Sequence, residues 1–382
     1  MTASQSAQST NSTAVKTPQK EVGFLAVLVM VWLIFAGLVT MDTGVHGLAL
    51  LGLGTALGGV FLFAQYGFAS VWRHALQTGA LMGLSGHFWL SVLCALVFLA
   101  APVFGLSAQP TLAPVSVSLL IGAFIFGIGM QLANGCGSGV LFSFGGGSGR
   151  MMIALPFFII GSVLGSFLLP SALEWGSAGQ VAIAGGLSDG ARTLVNLALI
   201  AAVGVGFYSL GRRRGQHLPR RLLWACVSIA LLCWAVFVLS GHPWGVTFGF
   251  TLWGAKLAQD LGVPVAEFTF WQWAGPARAL KHSLLSDVSS LMNIGMVLGA
   301  AMIAAVSGQL TTQTWPSARQ LLAAALGGVL MGIGARLSFG CNIGAFLGGI
   351  ASGSLHGWVW FVLAMAGSWA GIQLRPRFGL EK

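Results

Sequence analysis

Long apolar segments fill almost the whole chain and decide what it can fold into. Each is near the ~20 residues that a helix needs to cross the hydrocarbon core of a bilayer. Charged residues make up only 7% of the sequence, whereas a soluble domain carries roughly 25% to cover its surface. The sequence therefore predicts an all-α, polytopic membrane protein and excludes a soluble enzyme, a secreted disulfide scaffold and a disordered protein. The long segments lie at about 22–41, 45–65, 79–104, 115–134, 150–170, 193–210, 221–240, 243–258, 286–308, 320–338 and 356–374.

Shorter helical segments, which cannot span a membrane, lie between the long ones. A long segment that is followed by a short one indicates a helix that enters the membrane, breaks and returns. The predicted architecture is about 9–11 long membrane helices and about four short broken or re-entrant helices. The 56 glycines, about twice the usual ~7%, fit close helix packing of this kind. The short segments lie at about 67–76, 137–146, 268–280 and 343–353.

An internal repeat relates the two halves of the chain. Residues 122–139 read GAFIFGIGMQLANGCGSG and residues 327–344 read GGVLMGIGARLSFGCNIG, so glycines, leucine and cysteine coincide at one offset. Duplication in an apolar chain is typical of transporters, with the site near the repeat interface at mid-membrane. The sequence leaves open whether the repeats are parallel or inverted. The predicted divisions are a disordered polar tail at 1–20, a first repeat at 21–192, a linking helix and basic loop at 193–220, a second repeat at 221–376 and a C-terminal tail at 377–382.

The formal net charge of +10 reflects membrane topology more than a nucleic-acid partner. Five arginines lie in the short loop 212–221, and loops rich in Lys and Arg stay on the cytoplasmic side of a membrane. No basic stripe lies on a water-soluble element, so we predict no nucleic-acid partner. The lipid bilayer is the partner that the composition requires.

Two cysteines carry the sharpest chemical signal. Cys136 follows Gly135 and Cys341 follows Gly340, each at the break between a long apolar segment and a short one. The short helix that follows presents free backbone N–H groups and its positive end, which together favour an anion. A soft sulfur there suits a sulfur-containing anion. We therefore predict both cysteines near mid-membrane at the starts of short helices, the alternative being small buried side chains in a tight helix crossing.

Polar side chains near these cysteines are further candidates. Asn134 and Asn342 either donate to an anion or cap the broken helices. Lys256 either attracts an anion or pairs with Asp260, its i,i+4 neighbour. Arg336 either lines an anion vestibule or extends its charge to the membrane interface.

Other residue patterns are interpreted structurally. Arg73 and Arg150 are assigned as anchors at the membrane interface, and Cys226 and Cys233 as packing residues. The histidines have no metal-ligand spacing, the glycine run at 145–147 lacks the residues of a phosphate-binding loop, and no catalytic set is evident. We predict neither a cofactor nor an enzymatic activity.

The twin G-C-x2-G motifs, FGCNIGAFLGG at 339–349 and FAQYGFASVWR at 63–73 resemble the YeeE/YedE family of bacterial sulfur-compound transporters. The resemblance covers about residues 45–376. It implies a thiosulfate importer of the inner membrane, with a narrow pathway that is lined by cysteines at successive levels, two of them Cys136 and Cys341. A third family cysteine is replaced here by Gly67. The resemblance also implies a small cytosolic sulfur-carrier protein as a partner.

The residues and the resemblance together predict an inner-membrane permease for a small sulfur-containing anion, with thiosulfate as the leading candidate. Two other classes stay open. Paired thiols also suit a transporter of a soft metal or another thiophilic species. A membrane component of a sulfur relay would instead hold sulfur covalently on a cysteine.

Overall fold

The computed structural model describes residues 19–101, 105, 107–309 and 315–381, which are almost entirely helical. The α-helices are α1 Gln19–Ala64, α2 Phe68–Thr78, α3 Met82–Phe98, α4 Val117–Ala133, α5 Gly137–Gly145, α6 Gly149–Leu173, α7 Asp189–Arg213, α8 Arg220–Ser240, α9 Thr247–Asp260, α10 Thr269–Gln272, α11 Ala274–Lys281, α12 Val288–Val306, α13 Ala318–Leu337, α14 Gly349–Ala351 and α15 Leu355–Leu374. A π-helix, Asn342–Gly348, precedes α14, and 3-10 helices cover Val265–Glu267, Leu284–Ser286 and Arg375–Phe378. Two short strands, β1 Pro114–Ser116 and β2 Ser177–Gln180, pair antiparallel.

Eight helices in the described part of the chain are long and apolar enough to cross a membrane. The count of eight takes α1 as one crossing. The range of α1 holds the two segments predicted at 22–41 and 45–65, and Gly44 separates them with a non-helical φ of 67° and ψ of −155°. The segments predicted at 79–104 and 243–258 form α3 and α9, of only 17 and 14 residues, short of the ~20 that a crossing needs.

The predicted short helices are present. They are α2, α5, the pair α10 and α11, and the π-helix that continues into α14. Most of the polar tail predicted at 1–20 lies outside the described residues, and α1 begins at Gln19. The linking helix α7 begins at Asp189, four residues before the predicted linker.

The connection between α7 and α8 defines one end of the helix bundle, called the basic end below. Arg214 and Gln216 in this connection both donate a hydrogen bond to the Gly79 carbonyl. The turn between α2 and α3 therefore lies at the same end. The two strands and the start of α15 lie at the opposite end, where the Leu355 N–H donates to the carbonyl of Val181, just after β2.

The location of the basic end can be tested by chemical labelling. Arg213 is exposed at the last position of α7, and all five native cysteines are buried. We expect Arg213→Cys to react with a membrane-impermeant maleimide only after spheroplasts are opened, because arginine-rich loops stay cytoplasmic. Ser188→Cys, at the exposed other end of α7, is the matched control and should react in intact spheroplasts. Labelling of Arg213→Cys in intact spheroplasts would show that the assignment is wrong.

Glycines bring α4 and α13 into backbone contact in an antiparallel arrangement. A Cβ added at Gly122 would lie 2.8 Å from the Gly334 carbonyl oxygen, and one added at Gly129 would lie 2.6 Å from that of Gly327. In the sequence motif, Gly122 corresponds to Gly327 and Gly129 to Gly334. The first of these glycines in each copy therefore contacts the second in the other copy. Two copies related by a two-fold axis in the membrane plane would pack in this way. The duplication itself stays a prediction.

Two further glycine contacts occupy equivalent positions in the two copies of the predicted repeat, and they imply an effect on stability. Gly367 of α15 lies against the Phe124 carbonyl, as Gly161 of α6 lies against that of Val329. We expect Gly367→Val to lower the free energy of unfolding by about 1–3 kcal/mol, because overpacking forces the backbones apart. Thermal unfolding in detergent measures the loss. Gly206→Val is the control, since no atom lies within 4 Å of a Cβ at Gly206, and an equal loss in both variants would contradict the packing argument.

Candidate functional site

The two helix breaks share one backbone geometry. Asn134 ends α4 with a φ of 67°, and Phe339 follows α13 with a φ of 61°. Each is followed by a glycine and then by an extended cysteine, Cys136 or Cys341. Positive φ is uncommon for a bulky residue such as phenylalanine, and residues held in such regions cluster at functional sites. The same local chain path thus recurs at both cysteines.

Each cysteine occupies the cap position that precedes a short helix. Cys136 caps α5 and Cys341 caps the π-helix, as the sequence predicts. The Cys136 sulfur accepts a hydrogen bond from the Gly139 N–H at 3.4 Å and lies 3.5 Å from the Ser138 hydroxyl. A sulfur atom therefore stands at the positive end of each short helix.

The two short helices meet at their N-termini. A Cβ added at Gly137, the first residue of α5, would lie 2.7 Å from the sulfur of Cys341 and 3.2 Å from its Cβ. Cys136 is 1% exposed and Cys341 is fully buried. We call this contact of Cys136, Gly137 and Cys341 the junction. It brings two positive helix ends and two thiols to one buried place.

Aromatic packing holds the π-helix in position. The Phe346 ring stacks on Phe361 with 5.2 Å between centroids and packs edge-on against Phe68, Trp72 and Phe88. These neighbours come from α2, α3 and α15, so the π-helix is fixed from several sides. Single-turn π-helical segments are frequent at functional sites.

A small cavity lies on one side of the junction, called the inner cavity below. Its volume is about 180 Å³, and it is open to Cys136 and to the first turn of α2. Gly67, where the resemblance implies a third cysteine in the family, caps α2 and lines this cavity. The inner cavity is lined by Gln65, Gly67, Phe68, Ala69, Ser70, Asn134, Gly135, Cys136, Gly139, Phe142 and Ser143.

A larger cavity of about 930 Å³ opens at the opposite end of the bundle and is called the vestibule below. Its wall reaches Phe339, two residues before Cys341. Arg278, His242 and Arg336 line it, together with the carboxylate of Asp287. Burial raises the pKa of the Asp287 carboxyl, while its hydrogen bonds to Ser290 and the charge of His242 lower it.

Arg336 lines the vestibule, which is one of its two predicted positions. Its Nη1 lies 3.5 Å from the Thr251 hydroxyl and its guanidinium lies 5.6 Å from the centre of the Phe270 ring. Its Nε is buried without a hydrogen-bond partner among the described residues. A buried, incompletely paired guanidinium in a cavity wall is suited to an anion.

Lys256 lies apart from both cavities. Its Nζ donates a hydrogen bond to the Leu280 carbonyl at 2.9 Å, near the end of α11. The predicted pair with Asp260 is not formed, since the ion pair found in the described residues joins Arg192 to Asp189. The lysine thus holds α11, and its role toward an anion stays a prediction.

The two asparagines differ in their hydrogen bonding. The Oδ1 of Asn134, which ends α4, accepts from Arg73 at 2.6 Å and from Arg375 at 3.5 Å. Asn342, directly after Cys341, is fully buried, and neither its Nδ2 nor its Oδ1 has a partner in the described structure. Leaving a buried amide unpaired costs about 1–3 kcal/mol. The side chain of Asn342 is therefore available for a ligand.

The two glycines before the cysteines are required to different degrees. A Cβ at Gly340, where φ is 154°, would lie 2.7 Å from the Ala345 nitrogen, so a side chain there would collide with the π-helix. A Cβ at Gly135 would lie 3.3 Å from the flexible side chain of Met151. Close approach of the backbone is thus enforced at the second break more strictly than at the first.

Arg73 and Arg150, which the sequence assigns as anchors at the membrane interface, have hydrogen-bond partners at the end of α4. Arg73 bonds the Asn134 side chain, and Arg150 donates to the Leu132 carbonyl at 2.7 Å, so both contact the end of α4. These contacts join residues far apart in the chain, and no local spacing could have revealed them. Cys226, by contrast, donates to the Gly86 carbonyl between packed helices. In the described residues no group of three or more His, Cys, Asp or Glu is placed to hold a metal ion.

Helices that cross a membrane, together with two interrupted helices that meet between two cavities, define a multi-pass membrane protein of the transporter class. The family described as Sulphur transport matches residues 63–370. The chain belongs to this family of sulfur transporters, as the motifs predict.

Named relatives fit this assignment. The "Thiosulfate transporter TsuA" of Spirochaeta thermophila is 30% identical over 274 residues, which cover 66% of this chain and 76% of that protein. The "Probable transporter YedE" of Escherichia coli is 34% identical over 148 residues, 38% of this chain. The match spans only 36% of the length of that YedE protein. All are named as transporters, which fits a protein that is not an enzyme, and their bacterial origin fits an inner-membrane location.

Proposed function

We propose that this chain imports a small sulfur-containing anion, thiosulfate first among the candidates, by passing it from the vestibule through the junction to the inner cavity. The observation that carries the proposal is the meeting of two cysteine-capped helix N-termini, with the Cys341 sulfur against Gly137. The name of the Spirochaeta relative supports the choice of thiosulfate.

The chemistry of the junction suits such an anion in two ways. Free N–H groups and the positive ends of α5 and the π-helix attract negative charge. The thiols of Cys136 and Cys341 offer a polarisable surface and weak S–H donors to a sulfur atom. The unpaired amide of Asn342 adds one further donor beside Cys341. The site therefore recognises charge and sulfur together.

The vestibule supplies the approach to the junction. Arg278 and Arg336 give its wall two positive charges against the one carboxylate of Asp287. The buried Nε of Arg336 has no hydrogen-bond partner among the residues that the structure describes. A net positive charge between low-dielectric walls raises the local concentration of anions. We propose that the anion is collected here before it reaches Cys341.

Passage requires the junction to open. Both cysteines are almost completely buried and Gly137 leaves no space beside Cys341. The two short helices must therefore separate for an anion to pass. The shortness of α5 favours a local movement on its side of the junction, because the π-helix is held by the aromatic rings around Phe346.

Uptake of radiolabelled thiosulfate tests the proposal. The chain is expressed in bacteria that lack their own sulfate and thiosulfate importers, and uptake is compared with that of cells carrying the empty vector. We expect uptake that excess unlabelled thiosulfate suppresses more strongly than sulfate does. Absence of uptake by a well-expressed, membrane-inserted chain would overturn the proposal, and soft-metal uptake in the same cells would favour the metal alternative. Co-purification with small cytosolic sulfur carriers tests the predicted partner separately.

A further inference from the structure

Arginines from separate helices converge on the end of α4, at the side of the inner cavity. Arg73 of α2 donates from Nη1 to the Asn134 Oδ1 at 2.6 Å. Arg375, directly after α15 and only 5% exposed, donates from Nη1 to the Gln131 carbonyl at 2.7 Å. The Nη1 of Arg375 also reaches the Asn134 Oδ1 at 3.5 Å. One asparagine oxygen is thus shared by two guanidinium groups.

A third guanidinium completes the group. Arg150 of α6 donates from Nη2 to the Leu132 carbonyl, one residue along α4 from the carbonyl that Arg375 uses. Its charge is close enough to those of Arg73 and Arg375 for mutual repulsion. We call Arg73, Arg150 and Arg375 the arginine cluster.

Positive charge in the cluster exceeds its local compensation. In the part of the chain that the structure describes, no carboxylate forms an ion pair with any of the three arginines. Glu381 offers its backbone carbonyl to the Arg375 Nε at 2.6 Å, and the charge of its carboxylate offsets part of the positive charge at Arg375. The Nε of Arg150 is buried and has no partner within the described residues. Three positive charges and a free buried donor therefore share one small region.

The cluster borders a space that a solute can reach. Asn134 is exposed and lines the inner cavity together with Cys136 and Ser70. Arg73 is bound to the Asn134 side chain and is itself partly exposed. An anion at this point would replace the asparagine oxygen as the acceptor that two guanidinium groups now share.

We propose that the arginine cluster is a binding site for a small dianionic oxyanion of tetrahedral shape, at the mouth of the inner cavity. Guanidinium groups suit such an anion because their parallel N–H donors bind two oxygens at once. This proposal rests on the proposed function in one respect, namely that the transported anion is one of the anions that bind here. Sulfate and thiosulfate share the chemistry that the site recognises.

A purely structural role for the cluster makes a different prediction. Arg150 and Arg375 bond carbonyls at the C-terminal end of α4, which is a common way to stabilise a helix end. Within the described residues, Arg73 bonds the Asn134 side chain and no carbonyl of α4. Replacement of Arg73 therefore removes a ligand donor while the two arginines that cap α4 stay in place.

Oxyanion-dependent thermal unfolding of the full chain in nanodiscs tests the site. Sodium sulfate and sodium thiosulfate are the probes, with sodium chloride keeping the ionic strength constant. All variants carry Arg336→Gln, so that an anion in the vestibule does not dominate the signal. We expect Arg73→Gln to raise the half-maximal concentration of either oxyanion about ten-fold, because it removes one charge-assisted hydrogen bond. Arg73→Lys should give an intermediate shift, since it keeps the charge and loses the paired donors.

Arg377→Gln is the matched control. Arg377 is exposed in the 3-10 helix that begins at Arg375, and its replacement removes the same charge at the same end. Equal half-maximal oxyanion concentrations for Arg73→Gln and Arg377→Gln would overturn the proposal. So would the absence of any effect of oxyanions on the unfolding temperature of the Arg336→Gln parent. If Arg73→Gln does not fold, the half-maximal oxyanion concentration of Arg73→Lys is compared with that of Arg377→Gln instead. Uptake is measured separately. If oxyanion binding depends on Arg73 but the chain takes up no thiosulfate, only the proposed function is contradicted. If the chain takes up thiosulfate but oxyanion binding does not depend on Arg73, only the arginine site is contradicted.

Discussion

Cells that depend on this chain for thiosulfate should lose uptake when Cys136 and Cys341 are both replaced by alanine. The two sulfurs stand at the junction between the vestibule and the inner cavity, so the double variant removes both polarisable groups from the place where α5 meets the π-helix. Each single variant should reduce uptake strongly. We expect Cys136→Ala to reduce uptake at least as much as Cys341→Ala does, because the NGCGSG loop around Cys136 brings more backbone N–H groups to the anion. Initial rates of labelled thiosulfate uptake measure the effect.

Serine and the remaining cysteines separate a chemical role from a packing role. Serine keeps the size and a donor but lacks polarisable sulfur, so Cys136→Ser should restore little uptake. Cys226→Ala and Cys233→Ala should leave uptake near normal, because these cysteines pack between helices away from both cavities. Alanine at either junction cysteine should cost about 1–2 kcal/mol of stability, which expression and detergent behaviour monitor. Full transport by a well-expressed double variant would show that both cysteines serve only in packing.

Local sequence was enough to locate the two breaks. A glycine beside a cysteine after a long apolar segment, found twice in one frame, predicts where α4 and α13 end and where the short helices begin. The structure places those helices directly after Cys136 and Cys341. Helix ends of this kind depend on a few neighbouring residues, which is why a motif of eighteen positions can specify them.

The number of crossings was not fixed by hydropathy. Apolar residues continue past the ends of α3 and α9, so the predicted segments were longer than the helices. Where a helix stops depends on what it packs against, and hydropathy does not contain that information. Gly44, by contrast, interrupts helical geometry between the two segments predicted at 22–41 and 45–65, so hydropathy located that break.

Charge partners were the least predictable part. Lys256 and Asp260 have helical i,i+4 spacing, yet the lysine bonds the Leu280 carbonyl of another helix. Arg73 and Asn134 are 61 residues apart in the chain and come together only because α2 packs beside the end of α4. The arginine cluster is therefore a property of the tertiary structure, whereas the cysteine motif is a property of the local sequence.

Addition of one methyl group at Gly137 should block transport while the protein stays folded. The Cβ of Gly137→Ala would lie 2.7 Å from the Cys341 sulfur, closer than real Cβ atoms approach a neighbour, so the sulfur or α5 must move. Alanine favours the helix that begins there, so the change should alter the junction without unfolding α5. Gly344→Ala is the matched control, because it lies three residues after Cys341 and no atom is within 4 Å of its added Cβ. We expect uptake near background for Gly137→Ala and near normal for Gly344→Ala, at equal amounts of protein in the membrane. Normal uptake by Gly137→Ala would mean that the anion does not pass between α5 and Cys341, and the route through the junction would have to be abandoned.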